Sequence, residues 1–226
     1  MSPAKANTAN KKPKRRITEK LRRQADEVLA RLRREYPEAR CALAHDNPYQ
    51  LLVATILSAQ CTDERVNMVT PAVFARYPTP ADLADADPDE LQDLIRTTGF
   101  FRSKAKNLIA MAKDVDEQHH GLIPVELHEL TALGGVGRKT GNVVRSVAFG
   151  EPGLPVDTHV TRLSRRLGLT RQTDPVRIEH DLMPLFPPEE WGDLSLRLID
   201  HGRRICGART PRCAECVLND ICPSAR

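Results

Sequence analysis

Residues Leu133 to Gly141 read LGGVGRKTG, with three glycines around a valine and then Arg138 and Lys139 at the head of an apolar-periodic run. Glycine lets a backbone come close to another molecule, and the amides of a helix N-terminus favour anions, so the turn suits a phosphate. A lysine in the first turn of a helix sits against the positive end of the macrodipole, where it adds nothing to stability. With Arg138 beside it, that potential disfavours the ammonium form, and an unprotonated amine is a nucleophile. Leu127, Leu130 and Leu133 before the turn, and Val143, Val144 and Val147 after it, recur at helical spacing and make the stretch a helical hairpin. A plain αα corner also wants glycine, so both readings stand at this point.

Downstream, VDTHV places Asp157 between Pro155 and an apolar-periodic run through Val160, Leu163 and Leu167, where a helix N-cap belongs. A carboxylate held there is either a cap alone or a group that stabilises a developing cation or helps to deprotonate an amine or water. Cys206, Cys213, Cys216 and Cys222 follow as C-x6-C-x2-C-x5-C within 17 residues. Four thiols so close suit an iron–sulfur cluster held by four cysteines, a structural zinc or two disulfides. No signal peptide is evident, which speaks against disulfides, and a single C-x2-C clip leans the choice from zinc towards a cluster.

Taken in order, LGGVGRKTGNVV, VDTHV and the cysteine tail, with LLVATILSAQCTDERVN (Leu51 to Asn67), Gly99 to Ala105 and His201 to Cys222, resemble the endonuclease III family of helix-hairpin-helix DNA glycosylases over about residues 25 to 222. The resemblance implies a bifunctional DNA N-glycosylase and abasic-site lyase acting on duplex DNA, with oxidised pyrimidines as its substrates. By the same resemblance, Lys139 is the Schiff-base nucleophile, Asp157 is the essential carboxylate and the four cysteines hold a [4Fe–4S] cluster. Gln60 and Phe100 fill the gap left by an extruded nucleotide. The DNA contacts are completed by Gly135, Gly137 and Arg138 at the hairpin, with a monovalent cation as an added ligand there, and by Arg209 and Arg212 between the first two cysteines. An adenine glycosylase of the mismatch-repair type would lack the hairpin lysine, and a non-enzymatic DNA scaffold would only position phosphates.

Three positions depart from the family pattern. Gly134 stands where proline is common, Cys61 where alanine is usual, and Phe100 where a leucine wedge is expected. Cys41 and Cys61 lie outside the cysteine set and are expected to be buried thiols.

The segments carrying these groups read as helices throughout. Apolar stripes run through Leu21, Ala25, Val28, Leu29 and Leu32; through Leu51, Leu52 and Ile56 with Ala59; through Leu91, Leu94 and Ile95; and through Leu108, Ile109 and Ala112. Prolines, often with Asp or Thr ready to cap the next helix, punctuate them, and strand-like alternation is missing, so the fold class is all-α. The family resemblance implies two helical domains flanking a DNA-binding cleft. A six-helix module over residues 42–151 would carry the hairpin, and residues 21–41 with 152–226 would carry the cluster. The 226 residues, 40% apolar, suffice for such cores, and no run approaches the length of a membrane span. Residues 1–23 hold nine Lys or Arg against Glu19 and net +8, which leaves −4 on the rest of a chain whose total is +4. DNA binding by the remainder must then rest on local patches and backbone dipoles, with residues 1–20 expected as a basic tail. A cytoplasmic monomer is the default.

Overall fold

The computed structural model describes residues 17–226, and most of the basic tail therefore lies outside the described residues. Among those residues there are eleven α-helices, five one-turn 3-10 helices and no strand. Helix α1 (Glu19–Glu35) begins inside the stretch expected as tail, because Thr18 accepts a hydrogen bond from the Leu21 amide and caps it. Lys20, Arg22 and Arg23 are consequently helical surface residues.

Two apolar cores organise the molecule. The first is built by α2 (Pro48–Leu57), α3 (Asp63–Arg76), α4 (Pro80–Ala84), α5 (Pro88–Ile95), α6 (Phe101–His119), α7 (Leu127–Leu130) and α8 (Arg138–Ala148). Asn47, Thr79 and Asp87 each cap a helix whose first residue is proline, a position where the missing amide costs nothing. Eight of the ten residues of α2 are buried, so the one-sided stripe read from Leu51, Leu52 and Ile56 is in fact a helix enclosed on all sides. Ala59 falls beyond its end, in an exposed turn.

The second core joins α1 to α9 (Thr158–Arg166), α10 (Pro175–Leu182) and α11 (Trp191–Arg204), together with Tyr36, Leu154, Phe186 and Leu218. Burial of Leu21, Ala25, Val28, Leu29 and Leu32 attaches the N-terminal helix to elements more than 100 residues away in sequence. Each of its larger side chains contributes about 1.5–3 kcal/mol on burial.

Helices α8 and α11 bring the two cores together. Their approach is close, since a Cβ on Gly192 would stand 2.8 Å from the Ser146 Cβ. The segment after α8 is held equally tightly, because a Cβ on Gly153 would stand 2.6 Å from the Asn142 carbonyl oxygen. Asn142 also donates its side-chain amide to the Leu154 carbonyl at 3.2 Å, and Ser195 donates to the Pro155 carbonyl at 2.8 Å. The chain leading to Asp157 is therefore pinned to the helix that carries Lys139.

Candidate active site and DNA-contacting loops

Lys139 is exposed, as the second residue of α8. The helix ahead of the turn is shorter than the leucine spacing suggests, since α7 is a single turn and Leu133 lies beyond it. Gly137 sits at the N-cap of α8 with no side chain capping the helix, and a Cβ added there would meet nothing within 4 Å. The first amides of α8 thus have no side-chain cap, as in the helix N-termini that bind anions.

Gly134 and Gly135 serve a different purpose. A Cβ at Gly134 would lie 2.6 Å from the Ala110 Cβ, and one at Gly135 would lie 2.5 Å from the Asn107 Cβ, so both glycines let the hairpin press against α6. Gly135 also has φ +73°, a left-handed conformation that favours glycine. In both, the space that a side chain would take is filled by α6. The Gly134 amide donates to Asp114 Oδ2 at 2.7 Å, a bond that a proline at this position could not make. Departure from the family's proline thus exchanges a fixed φ for a tether onto α6.

Arg138 points to a partner in the second core. Its guanidinium forms a two-pronged hydrogen bond to the buried Glu179 carboxylate of α10, at 2.7 and 2.8 Å. That ion pair raises the arginine further above its ordinary range and offsets its charge, so Arg138 acts as a bridge between hairpin and second core. It is not a bare cation beside Lys139. Glu179 is invisible to sequence reasoning because a carboxylate in a helical pattern looks like solvated surface until its partner arrives from 41 residues away.

Asp157 is half-buried at the N-cap of α9 and accepts the Val160 amide at 2.8 Å. Arg203 of α11 reaches across to Asp63 of α3 at 2.7 Å and feels the fields of Asp200 and Asp157 as well. Cys41 in turn lies within electrostatic reach of Asp63, Lys139 and Arg203. Arg203 thus lies near Asp157, and Cys41 lies near both Arg203 and Lys139. Neither Arg203 nor Asp63 stands out in the sequence, because nothing local marks two charges 140 residues apart as partners.

Gln60 and Phe100 are both exposed and both adopt left-handed backbone, with φ 53° and 48°. Such conformations cost a non-glycine residue of order 1–3 kcal/mol and collect at functional sites. Phe100, 67% exposed, stands at the head of α6 just after Gly99 at φ +71°. Cys41 and Cys61 are half-buried against the first core, more accessible than the buried thiols expected.

None of the six cysteines is disulfide-bonded. Cys206, Cys213, Cys216 and Cys222 line a common cavity of about 170 Å³ with Leu163, Leu167 and His201. Among the described residues no three His, Cys, Asp or Glu side chains are grouped so as to hold a single metal ion. Polar groups surround the sulfurs: Arg166 donates to Cys206 Sγ at 3.1 Å, the Leu218 amide donates to Cys216 Sγ at 3.4 Å, and His201 Nε2 shares a contact with Cys216 Sγ at 3.4 Å. Burial, together with the adjacent sulfurs, pushes the Cys216 and Cys222 thiols up.

The loop between the first two cysteines is fixed from below. Arg166 donates to the Gly207 and Ala208 carbonyls, each at 2.8 Å, and Arg162 donates to the Cys206 carbonyl at 3.1 Å. Arg209 is exposed on this loop. Arg212, expected as a phosphate contact, pairs with Glu215 at 2.9 Å and donates to the Arg204 carbonyl, which ties it to the loop's own framework.

Residues 53–188 match the family model described as HhH-GPD superfamily base excision DNA repair protein. Endonuclease III of Synechocystis sp. is 54% identical over 206 residues, covering 91% of this chain and 94% of that protein. Endonuclease III of Bacillus subtilis is 48% identical over 188 residues, covering 83% and 86%. Among solved structures, a non-covalent endonuclease III–DNA complex superposes with a TM-score of 0.86 at 41% identity, covering 92% of this chain and 97% of that one. A trapped endonuclease III–DNA covalent intermediate superposes equally well at 42% identity and the same coverage. With this hairpin, this carboxylate and these loops in one chain, the protein belongs to the endonuclease III family of the HhH-GPD superfamily of base excision DNA repair proteins.

Proposed function

We propose that the chain excises damaged bases from duplex DNA as a bifunctional N-glycosylase and then cleaves the strand 3′ to the abasic site as a lyase. The observation that carries this reading is Lys139, an exposed amine at an uncapped helix N-terminus, pinned through Asn142 to the segment that ends at Asp157. A trapped covalent DNA intermediate of a relative 42% identical to this chain supports the covalent chemistry.

The anomeric carbon of a stacked nucleotide is out of an enzyme's reach, so extrusion comes first, at a cost of a few kcal/mol. Gln60 and Phe100 fill the opened stack, and their exposed, strained placement supports that assignment. The Lys139 amine then attacks C1′ and the base departs. Asp157 stabilises the positive charge that develops on the sugar. The resulting imine acidifies the C2′ proton, and β-elimination expels the 3′ phosphate. A neighbouring phosphate lies on the open amides around Gly137, with a monovalent cation as the added ligand at the hairpin, and Arg209 meets another.

The division into a hairpin module over residues 42–151 and a cluster-bearing part, residues 21–41 with 152–226, follows the two cores and is our reading of the domains. No helix among the described residues is long and apolar enough to cross a membrane. We assign the protein to the cytoplasm as a monomer on chromosomal DNA, with oxidised pyrimidines as its substrate class. The reading is tested by incubating the protein with duplexes bearing thymine glycol, dihydrouracil, uracil, 8-oxoguanine or an abasic site in the presence of borohydride. A covalent protein–DNA adduct on the pyrimidine lesions and the abasic duplex is expected, whereas binding without any adduct leaves only a DNA-binding scaffold.

Cys206, Cys213, Cys216 and Cys222 are the residues that would hold a [4Fe–4S] cluster. A cavity ringed by four thiols, with N–H donors aimed at the sulfurs, fits a group larger than one ion. Bound there, the cluster supplies a rigid covalent anchor for the loop that presents Arg209. Purified protein should be yellow-brown and contain about four iron atoms per chain, with colour and iron lost together in Cys213→Ser. A colourless preparation carrying stoichiometric zinc would overturn the assignment.

A further inference from the structure

Lys104 is a lysine that no role above requires. It lies in the first turn of α6, where a cation opposes the helix dipole, and it is only 4% exposed. A buried ammonium is costly unless paired, and among the described residues no carboxylate lies within ion-pair distance of it. Its partners are two main-chain carbonyls, with Nζ donating to Leu57 O at 2.7 Å and to Thr98 O at 2.8 Å. Leu57 is the last residue of α2 and Thr98 closes a one-turn helix, so each carbonyl is the negative end of a helical turn. Burial pushes the ammonium below the ordinary lysine range, with the nearby Cys61 sulfur opposing the shift, and the two carbonyls take its hydrogen bonds.

Those carbonyls sit at the roots of the two strained loops. Leu57 is three residues before Gln60, Thr98 two before Phe100, and both loop tips carry left-handed backbone. Thr98 is itself buried and donates to the Ile95 carbonyl at 2.8 Å, which makes the root rigid. An apolar residue would fill this space at lower desolvation cost, and what the lysine adds is the connection between the two carbonyls.

We infer that Lys104 is a positioning residue for nucleotide extrusion, a clamp that sets the separation of the Gln60 and Phe100 loops. This inference rests on the proposal that those two side chains fill the opened duplex. In Lys104→Met the two carbonyls are left without a donor and the loops are free to part, while Lys139, Asp157 and the hairpin are untouched. Single-turnover excision of thymine glycol from a duplex should fall about 10- to 100-fold, the range of one to two lost buried partners. β-Elimination on a single-stranded oligonucleotide bearing an abasic site needs no opening and should change by less than about 3-fold on the same arithmetic. A 2-aminopurine opposite the lesion should also lose its fluorescence rise on binding.

Equal losses on both substrates, or no loss on the duplex, would overturn the inference. Should Lys104→Met fail to accumulate with its cluster colour and helical circular dichroism, the same comparison on Lys104→Gln, one atom too short to bridge both carbonyls, decides the matter, with the same selective loss expected. Gln60→Ala with Phe100→Ala separates the clamp from the gap-filling on which it depends. If that double variant loses duplex excision selectively and Lys104→Met does not, the clamp alone fails. If the double variant shows no selective loss, the gap-filling reading itself fails. With the clamp at work, adding Lys104→Met to the double variant costs nothing further.

Discussion

Lys139→Ala is expected to lose the borohydride-trapped adduct altogether and to slow strand cleavage at an abasic site by roughly 10³- to 10⁶-fold, the range seen when a covalent nucleophile is removed. Folding stability should hold within about 0.5 kcal/mol, since the side chain is exposed and sits at the wrong end of its helix for a cation. Affinity for an abasic duplex should change by no more than a single exposed charge allows, about 3-fold. The three readouts together isolate chemistry from folding and binding. Lys139→Arg keeps the charge without an attacking amine and should be as inactive as the alanine variant. An adduct that survives in both variants would move the nucleophile to another amine and remove the basis of the mechanism.

Asp157 supports the second large effect, and here the structure allows two roles to be told apart. As the N-cap of α9 it accepts the Val160 amide, a function that asparagine performs about as well as aspartate. As the carboxylate facing a developing sugar cation it needs its negative charge, which asparagine lacks. Asp157→Asn should therefore keep its melting temperature within a degree or two, a change of less than about 0.5 kcal/mol, while base excision falls about 10²- to 10⁴-fold. Asp157→Ala should show the same kinetic loss and an added destabilisation of about 1 kcal/mol from the missing cap. Full activity in Asp157→Asn would mean that the residue is a cap and nothing more.

Much of this molecule is legible along the chain because its signals are local. Asn, Thr or Asp followed by proline marks the helix starts at Pro48, Pro80 and Pro88, and these positions are set by neighbouring residues alone. The apolar stripe of α1 is equally plain, since helical periodicity needs no knowledge of what will cover it. Lys139 and Asp157 stand out for the same reason: each occupies a helix terminus where its charge asks for an explanation that its own flanks provide. The four cysteines announce a shared centre by spacing within 17 residues.

Local pattern thus settles the helical class, the order of the elements and the groups able to do chemistry. Which of those groups are free to act emerges only when the cores pack. The pairing of Arg138 with Glu179, and of Arg212 with Glu215 and the Arg204 carbonyl, is seen only in the packed structure. The packing of Gly134 and Gly135 on α6 shows only in the assembled structure, and Lys104 has no reading at all until two carbonyls from separate loops meet over it. Several of these deciding partners lie far along the chain, and even the near ones are chosen by the path that the packed backbone takes. Pattern and propensity report the backbone's local preferences, whereas the pairing of a charge or the approach of two backbones is settled by the close packing of the assembled cores.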